Sequence, residues 1–342
     1  MKKVLYYITD HGRGHTTRSI AIIKELQKNN IDIVIRNSNS ENLLKNSLGD
    51  IQILSGITDI GPKIKSDGYS IDKIHSKSII HNWIKDLKKT AKNENKIITK
   101  FQPDLIISDI SLMPFLVAKN NKIKSIAISN FSWFDVLKFL DKMDLKTIEN
   151  IYNFANLAIQ LPFGTNMNHF KNKIKVGVVA REPTESVKKI RKKLKIKNHE
   201  SLISISTGQT KFKINCDVKD NIKILSMDSK VTGTNVTNLP TTISSNDAIS
   251  ASNLVIGKCG YGLISECTTN AIPFYYLANE SHLEQKAMMA ELVDKGMGKR
   301  ITLEELENTS FNTNLIKNLP KIGKLQIDNQ TVSKKIIEFL QN

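Results

Sequence analysis

The sequence predicts an α/β protein built from two doubly wound domains. Three observations carry this. Short apolar runs of strand type alternate with segments whose apolar residues recur at helical spacing. Glycine-bearing turns follow several of the runs, at Gly12–Gly14, Gly208 and Gly257–Gly262. The alternation halts near Pro162 and then starts again. Such alternation implies parallel sheets with helices on both faces, whose ligands sit at the carboxyl ends of strands.

The elements follow in order. Val4–Thr9 is the first strand, then the loop Asp10–His15, then a helix over Thr16–Lys28 with Ile20, Ile22, Ile23 and Leu26 near helical spacing. Ile31–Ile35 and Ile51–Leu54 are the next strands. Asp72–Lys100 reads as a long helix with one apolar stripe, Ile80, Trp83 or Ile84, Leu87 and Ala91, amid lysines. Leu105–Ser108 and Ser125–Ser129 are buried-type strands flanking a short helix, Leu112–Lys119. The domain boundary falls within Pro162–Val176, dividing 1–165 from 166–342, with the last helix free to pack back on the first domain.

In the second half Val187, Ile190 and Leu194 mark a helix whose basic run KKIRKKLKIK reads as a solvated face. Leu202–Ser206, Ile222–Ser226, Leu254–Ile256 and Pro273–Leu277 are strands, and Leu263–Asn270 and Glu284–Asp294 helices. Two such domains facing a cleft offer the setting where ligand sites prefer to form.

Length and composition narrow the classes. At 342 residues two domains are expected, and a chain this long buries about three-quarters of its unfolded surface without a disulfide or metal staple. Hydrophobic residues at 40% and charged residues at 24% exclude a disordered or collagen-like chain. Cys216, Cys259 and Cys267 form no CxxC pair, which argues for a reducing cytoplasm. The apolar part of MKKVLYYITD is too short for a signal-peptide core, and no run approaches a membrane span. The net charge of +17 suits nucleic acid, anionic lipid or anionic small substrates, or reflects lysine-rich composition spread along the chain.

Five groups of residues carry candidate chemistry. Gly12 and Gly14 let a ligand approach the backbone, and the helix behind them offers free N–H groups. His15 at that helix start is disfavoured as a cation and suits a base, or it caps the helix. The loop lacks the third glycine of a dinucleotide fingerprint, and the second strand ends in Arg36-Asn37 with no acidic residue. Lys258, Gly260, Tyr261 and Gly262 lie between a strand and a helix that carries Glu266 one turn in. That turn can hold a diphosphate, and Glu266 can accept from ribose hydroxyls. His282, Glu284 and Gln285 form a polar cluster at another strand end, and Thr207 and Gly208 follow the first strand of the second half. Asp109 and Asn130 end two strands of the first half, Asp109 as base or as orienter of His15. Trp133 nearby is a core residue or a stacking platform. No DxD, GxSxG, HExxH or CxxC occurs, so no metal site is expected.

With GRGHTTRS (Gly12–Ser19), the SNFSW run (Ser129–Trp133), GKCGYGLISE (Gly257–Glu266) and HLEQKAMMAELVDKG (His282–Gly296), the chain resembles nucleotide-sugar glycosyltransferases of the GT-B type, with two Rossmann-like domains. It is most similar to the family 28-like group, which includes the bacterial peptidoglycan GlcNAc-transferase and plant galactolipid synthases, and to the N-terminal region of plant arabinose kinases. The resemblance implies a donor site with Glu266 on ribose, Gly260–Gly262 on phosphates, and Glu284 and Gln285 on the sugar. It implies acceptor chemistry around His15, with Gly12, Gly14, Arg18 and Asn130 on the acceptor side. Lys286 stands where the family often has Asn, Gln209 where it has a second glycine, and Thr207–Asp220 is short for a crossover helix.

The expected function is metal-independent transfer of a sugar from a nucleoside-diphosphate donor, with uridine diphosphate the expected carrier, to a hydroxyl on a lipid or glycan. No cofactor is expected beyond that co-substrate. The GxGHxxR signature, Gly12 to Arg18, equally resembles a nucleotide-sugar hydrolase, and epimerases share the fold. A non-catalytic sugar-nucleotide binder is a further alternative. No RNA-recognition signature supports a specific nucleic-acid partner. Weak contact with anionic membranes, peripheral on the inner face, is expected if the Ile80, Ile84, Leu87 and Ala91 stripe faces lipid. The alternative is that the stripe packs on the sheet.

Overall fold

The structure, a computed structural model, describes residues 1–65, 70–206, 208, 214–216, 218, 221–228 and 231–341. The chain forms two compact units. One comprises 1–64, 71–179 and 327–342; the other 65–70 and 180–326.

In the first unit β1 (Lys3–Ile8) leads into α1 (Arg13–Gln27), β2 (Asp32–Arg36), α2 (Glu41–Leu48) and β3 (Gln52–Leu54). Then come α3 (Lys73–Asn93), α4 (Asn95–Phe101), β4 (Leu105–Asp109), α5 (Met113–Asn121) and β5 (Lys124–Ser129). The unit continues through α6 (Trp133–Val136), α7 (Lys142–Tyr152), β6 (Leu157–Gln160) and β7 (Lys173–Lys175). Among the described residues these seven strands make one parallel sheet, ordered β3-β2-β1-β4-β5-β6-β7. The order reverses between β1 and β4, and Ile8 pairs with Asp109 at their carboxyl ends. A doubly wound sheet opens its ligand crevice at such a reversal.

Because β7 pairs with β6, residues 166–179 belong to the first unit, and the division falls after Val179 rather than at 165. The lysine-rich stretch is two helices, not one. They part at Glu94, which is turned inward. Its carboxylate accepts from Tyr7 Oη at 2.9 Å and from Arg36 Nε and Nη2 at 3.0 and 2.5 Å, tying β1 and β2 to the helices. Ile80, Trp83, Leu87 and Ala91 are buried, so the stripe is spent on the core. The alternative in which the stripe packs inward thus holds for Ile80, Leu87 and Ala91, with Ile84 half-buried, and the exposed face of α3 is rich in lysine. Among the described residues no helix is long and apolar enough to cross a membrane.

The second unit contains α8 (Val187–Lys193), β8 (Ser201–Ser206), β9 (Ile214–Cys216), β10 (Ile222–Ser226), β11 (Val231–Gly233) and β12 (Val236–Asn238). It continues with α9 (Ser245–Ser250), β13 (Leu254–Lys258), α10 (Tyr261–Asn270), β14 (Phe274–Leu277), α11 (Leu283–Asp294), β15 (Lys299–Arg300), α12 (Leu303–Glu307) and α13 (Thr313–Lys317). Its main sheet is ordered β12-β10-β8-β13-β14-β15, again reversing beside its first strand. Where a crossover helix would follow β8, the described residues hold β9, which pairs with β11 in a small parallel sheet. Ile214 and Cys216 pack with Ile203, Ile205 and Ile224, and Phe311 and Leu306 close the same cluster. Leu202 and Leu225 bury the opposite face with Ile190 and Ala248. A strand pair thus covers sheet surface that a helix usually covers. The last helix, α14 (Asn329–Gln341), belongs to the first unit and packs on α1.

Candidate active site

The first constellation lies where the first sheet reverses order. Gly12 precedes α1 with φ +92° and ψ 152°, a conformation that only glycine adopts without strain. The helix starts without a side-chain cap, so its first amides remain available to a ligand. His15 lies inside the first turn rather than ahead of the helix. Its ring reaches the end of β4, where Nδ1 stands 2.7 Å from Asp109 Oδ1.

Nδ1 also lies 2.6 Å from Arg18 Nη2. Arg18 Nη2 can only donate and already serves Asp109 Oδ1, whereas the carboxylate can only accept, so we assign the imidazole proton to Nδ1, which leaves Nε2 as the basic nitrogen. Burial lowers the imidazole pKa, the Arg18 charge lowers it further, and Asp109 opposes both. His15 is therefore neutral at pH 7, as a base requires.

Asp109 is the orienter and not a base. Arg18 donates to it through Nε at 2.7 Å and Nη2 at 2.5 Å, and Ser19 Oγ at 3.1 Å. Burial would raise its pKa, but Arg18 and His15 hold it at about 2. Arg18 and Asn130, expected at the acceptor, are buried and support this carboxylate instead. Arg18 Nη1 donates to Asn130 Oδ1 at 2.5 Å, and Asn130 Nδ2 to the Phe163 carbonyl at 2.8 Å. Trp133 is a core residue: its ring is buried and its indole N–H is engaged.

In the second unit Lys258 ends β13, and Gly260 starts α10 without a side-chain cap. Gly257 allows the close approach of β13 to β8; a Cβ there would lie 2.5 Å from the Ser206 carbonyl oxygen. Tyr261 is buried in the first turn of α10, and Gly262 is partly exposed. Glu266 is only 3% exposed and is not the free carboxylate the sequence suggested. Arg181 Nε donates to its Oε1 at 2.6 Å, while Arg181 Nη2 donates to Ser245 Oγ at 2.8 Å.

His282 caps α11. Its Nδ1 is buried without a hydrogen-bond partner, and burial, helped by the Lys258 charge, lowers its pKa to about 4. Gln285 is buried and turns its Oε1 to the Asn279 backbone N–H at 2.7 Å. Glu284 is half-buried in the first turn of α11. Gly208 is exposed with φ +65°, and Thr207 lies outside the described residues. Among the described residues, no three His, Cys, Asp or Glu side chains gather as a metal site.

Sequence reasoning missed Arg181 and Asp59. Asp59 follows β3, is 5% exposed, and accepts from Thr9 Oγ1 at 2.6 Å and Trp133 Nε1 at 2.9 Å. Burial pushes its pKa up to about 6 against these hydrogen bonds. Neither residue sits in a spaced motif; only the cost of burying charge unpaired, visible once the fold is known, points to them.

Two parallel sheets of this order, each with a glycine turn at its reversal, define the GT-B class. Arabidopsis thaliana UGT89C1 aligns over 99% of this chain and 95% of its own, with TM-score 0.62 at 12% identity. The same protein complexed with UDP aligns over 99% and 90%, with TM-score 0.58 at 11% identity. Acinetobacter baumannii MurG aligns over 100% and 99%, with TM-score 0.56 at 14% identity. Residues 2–320 match the family Glycosyl transferase family 1, and the chain belongs to it. L-arabinokinase of Arabidopsis thaliana is 22% identical over 304 residues, 82% of this chain, and the chain spans 28% of that relative. The resemblance drawn from the motifs is thereby borne out.

Proposed function

We propose that the protein transfers a sugar from a nucleoside-diphosphate donor, carried on uridine diphosphate, to a hydroxyl of a lipid or glycan. One observation carries the reading: a neutral His15 held by an ionised Asp109 at the strand-order reversal. Nε2 of His15 takes the proton from the acceptor hydroxyl. The freed oxygen attacks the anomeric carbon. The bond from that carbon to the diphosphate oxygen breaks, and its electron pair leaves with the diphosphate. A base so placed contributes about 10²–10⁴-fold.

The uncapped start of α10 and Lys258 meet the leaving charge. Glu266 offers its second oxygen to ribose hydroxyls while Arg181 holds the first. Support for the carrier comes from UGT89C1, whose structure has UDP bound.

Calorimetry with UDP tests the donor half. Glu266→Ala weakens binding by about 1–3 kcal/mol, the worth of hydrogen bonds to a charged acceptor. Unchanged affinity removes Glu266 from the site. A chelator tests the absence of metal: turnover survives EDTA, because Lys258 and the helix start take the role of a cation. Full loss with EDTA, restored by Mg²⁺ or Mn²⁺, overturns the metal-free mechanism. Sugar release matching donor consumption without any acceptor would assign hydrolysis instead.

A further inference from the structure

We infer that Asp59 is a positioning residue for His15: its carboxylate pins both the aromatic wall behind the imidazole and the loop that leads into the helix bearing it. The inference rests on the reading of His15 as base, but its geometry is independent of substrate.

Two paths leave the carboxylate. Oδ1 accepts from Thr9 Oγ1, and the same hydroxyl oxygen accepts the His11 backbone N–H at 3.1 Å. One hydroxyl thus links Asp59 to the glycine loop. Oδ2 accepts from the Trp133 indole. The Trp133 ring meets His11 edge-on, with centroids 5.3 Å apart at 74°, and meets Phe131 at 5.5 Å and 78°. Phe131 in turn meets the His15 ring at 5.7 Å and 67°. These are edge-to-face contacts, which resist sliding because the positive ring edge faces the negative ring face.

The segment that bears Asp59 also closes on the loop from its other end. Gly61 lies against the His11 ring so tightly that a Cβ there would sit 2.2 Å from Nδ1. Residues 59–61 therefore clasp the loop between β1 and α1. A buried carboxylate is costly, and an apolar residue would fill the same volume; what the carboxylate adds is two acceptor oxygens aimed at two donors.

Several groups face Asp59. Asp10, in the same loop as His11, adds like charge. Thr9 and Trp133 hydrogen-bond to it, and the Ser111 hydroxyl, from the turn after β4, donates to the neighbouring Thr58 hydroxyl at 3.0 Å. The Tyr152 hydroxyl of α7 accepts the Trp133 backbone N–H at 3.1 Å and donates to the Ile110 carbonyl at 2.6 Å. The ionised Asp109, with Arg18 and His15, forms the next layer. The protonated acid has one acceptor oxygen fewer for its donors, so acidification loosens the wall.

The test uses the full chain with Trp83→Phe, which leaves Trp133 as the sole indole. Trp133 emission is expected to titrate with a midpoint near 6, and Asp59→Asn to abolish that titration. Ring resonances of His11 and His15 are expected to shift in Asp59→Asn, with a displaced His15 midpoint. Should Asp59→Asn fail to fold, Thr9→Val, nearly isosteric, interrupts one path and is expected to move the same two rings. With UDP-glucose as donor probe, kcat falls by about 10- to 100-fold at unchanged KM, the scale of a misplaced catalytic group. Emission flat from pH 5 to 7, together with unmoved His15 resonances, overturns the inference. If the parent does not turn over UDP-glucose, the choice of donor is wrong, while emission and imidazole shifts still decide the role of Asp59.

Discussion

Alanine at His15 lowers turnover by about 10²–10⁴-fold, the usual contribution of a positioned general base. UDP affinity stays unchanged, because the residues proposed to hold the donor are in the second unit. The fold survives as well: Asp109 keeps both Arg18 bonds and the Ser19 hydroxyl when the imidazole is gone. Steady-state kinetics beside UDP calorimetry make the check. Parallel losses of turnover and affinity would mean that His15 contacts phosphate and is no base. A pH profile sharpens the result. Burial and then the Arg18 charge lower the imidazole pKa from 6.5, so the base stays competent into mildly acidic solution. The acid limb of kcat/KM is expected below the range of a free imidazole.

Asp109→Ala produces the largest loss of stability. It removes the carboxylate partner of a guanidinium that is itself buried, whose contacts with Asn130 and Ser129 bring no opposite charge. Breaking a buried ion pair from one side costs about 3–5 kcal/mol. For a unit of this size that lowers Tm by roughly 6–20 °C. A change under about 1 kcal/mol would show that water replaces the carboxylate and that the pair is not structural.

The pH dependence follows from the same geometry. The carboxyl titrates at about 2 in the folded protein and near 3.9 when unfolded. Its contribution is complete above about pH 4 and is lost as pH falls through that window toward 2, because the unfolded chain then binds the proton first. Asp109→Asn lacks this component of acid lability. Denaturant melts from pH 5 to pH 2 compare the two.

Much of the architecture was legible. The strand at Val4–Thr9, the glycine loop and the helix behind it are contiguous, and each has a local signature. Asp109 was legible as a polar residue closing a buried strand, and its pairing with His15 follows once the strands are parallel. The limits were equally physical. Glu94 ends α3 because its carboxylate finds Arg36, 58 residues away, and helical periodicity carries no trace of that partner. Arg18, in the GxGHxxR run, and Asn130, at a strand end, looked like acceptor contacts because polar residues beside a ligand loop usually face solvent. The fold instead turns them inward, on one buried charge.

The sequence by itself determined the α/β class, the two doubly wound domains and the loops at strand ends where chemistry can sit. These depend on spacing over a few residues, which hydrophobic periodicity and glycine report directly. The tertiary structure decided which polar groups meet. His15 finds Asp109 across 94 residues, Trp133 finds Asp59 across 74, and Arg181 finds Glu266 across 85. It also decided that, among the described residues, a strand pair covers the sheet after β8, and that the last helix joins the first unit. Such pairings are set by the cost of leaving a buried charge or hydrogen bond unmatched, and that cost exists only once the chain has folded around it.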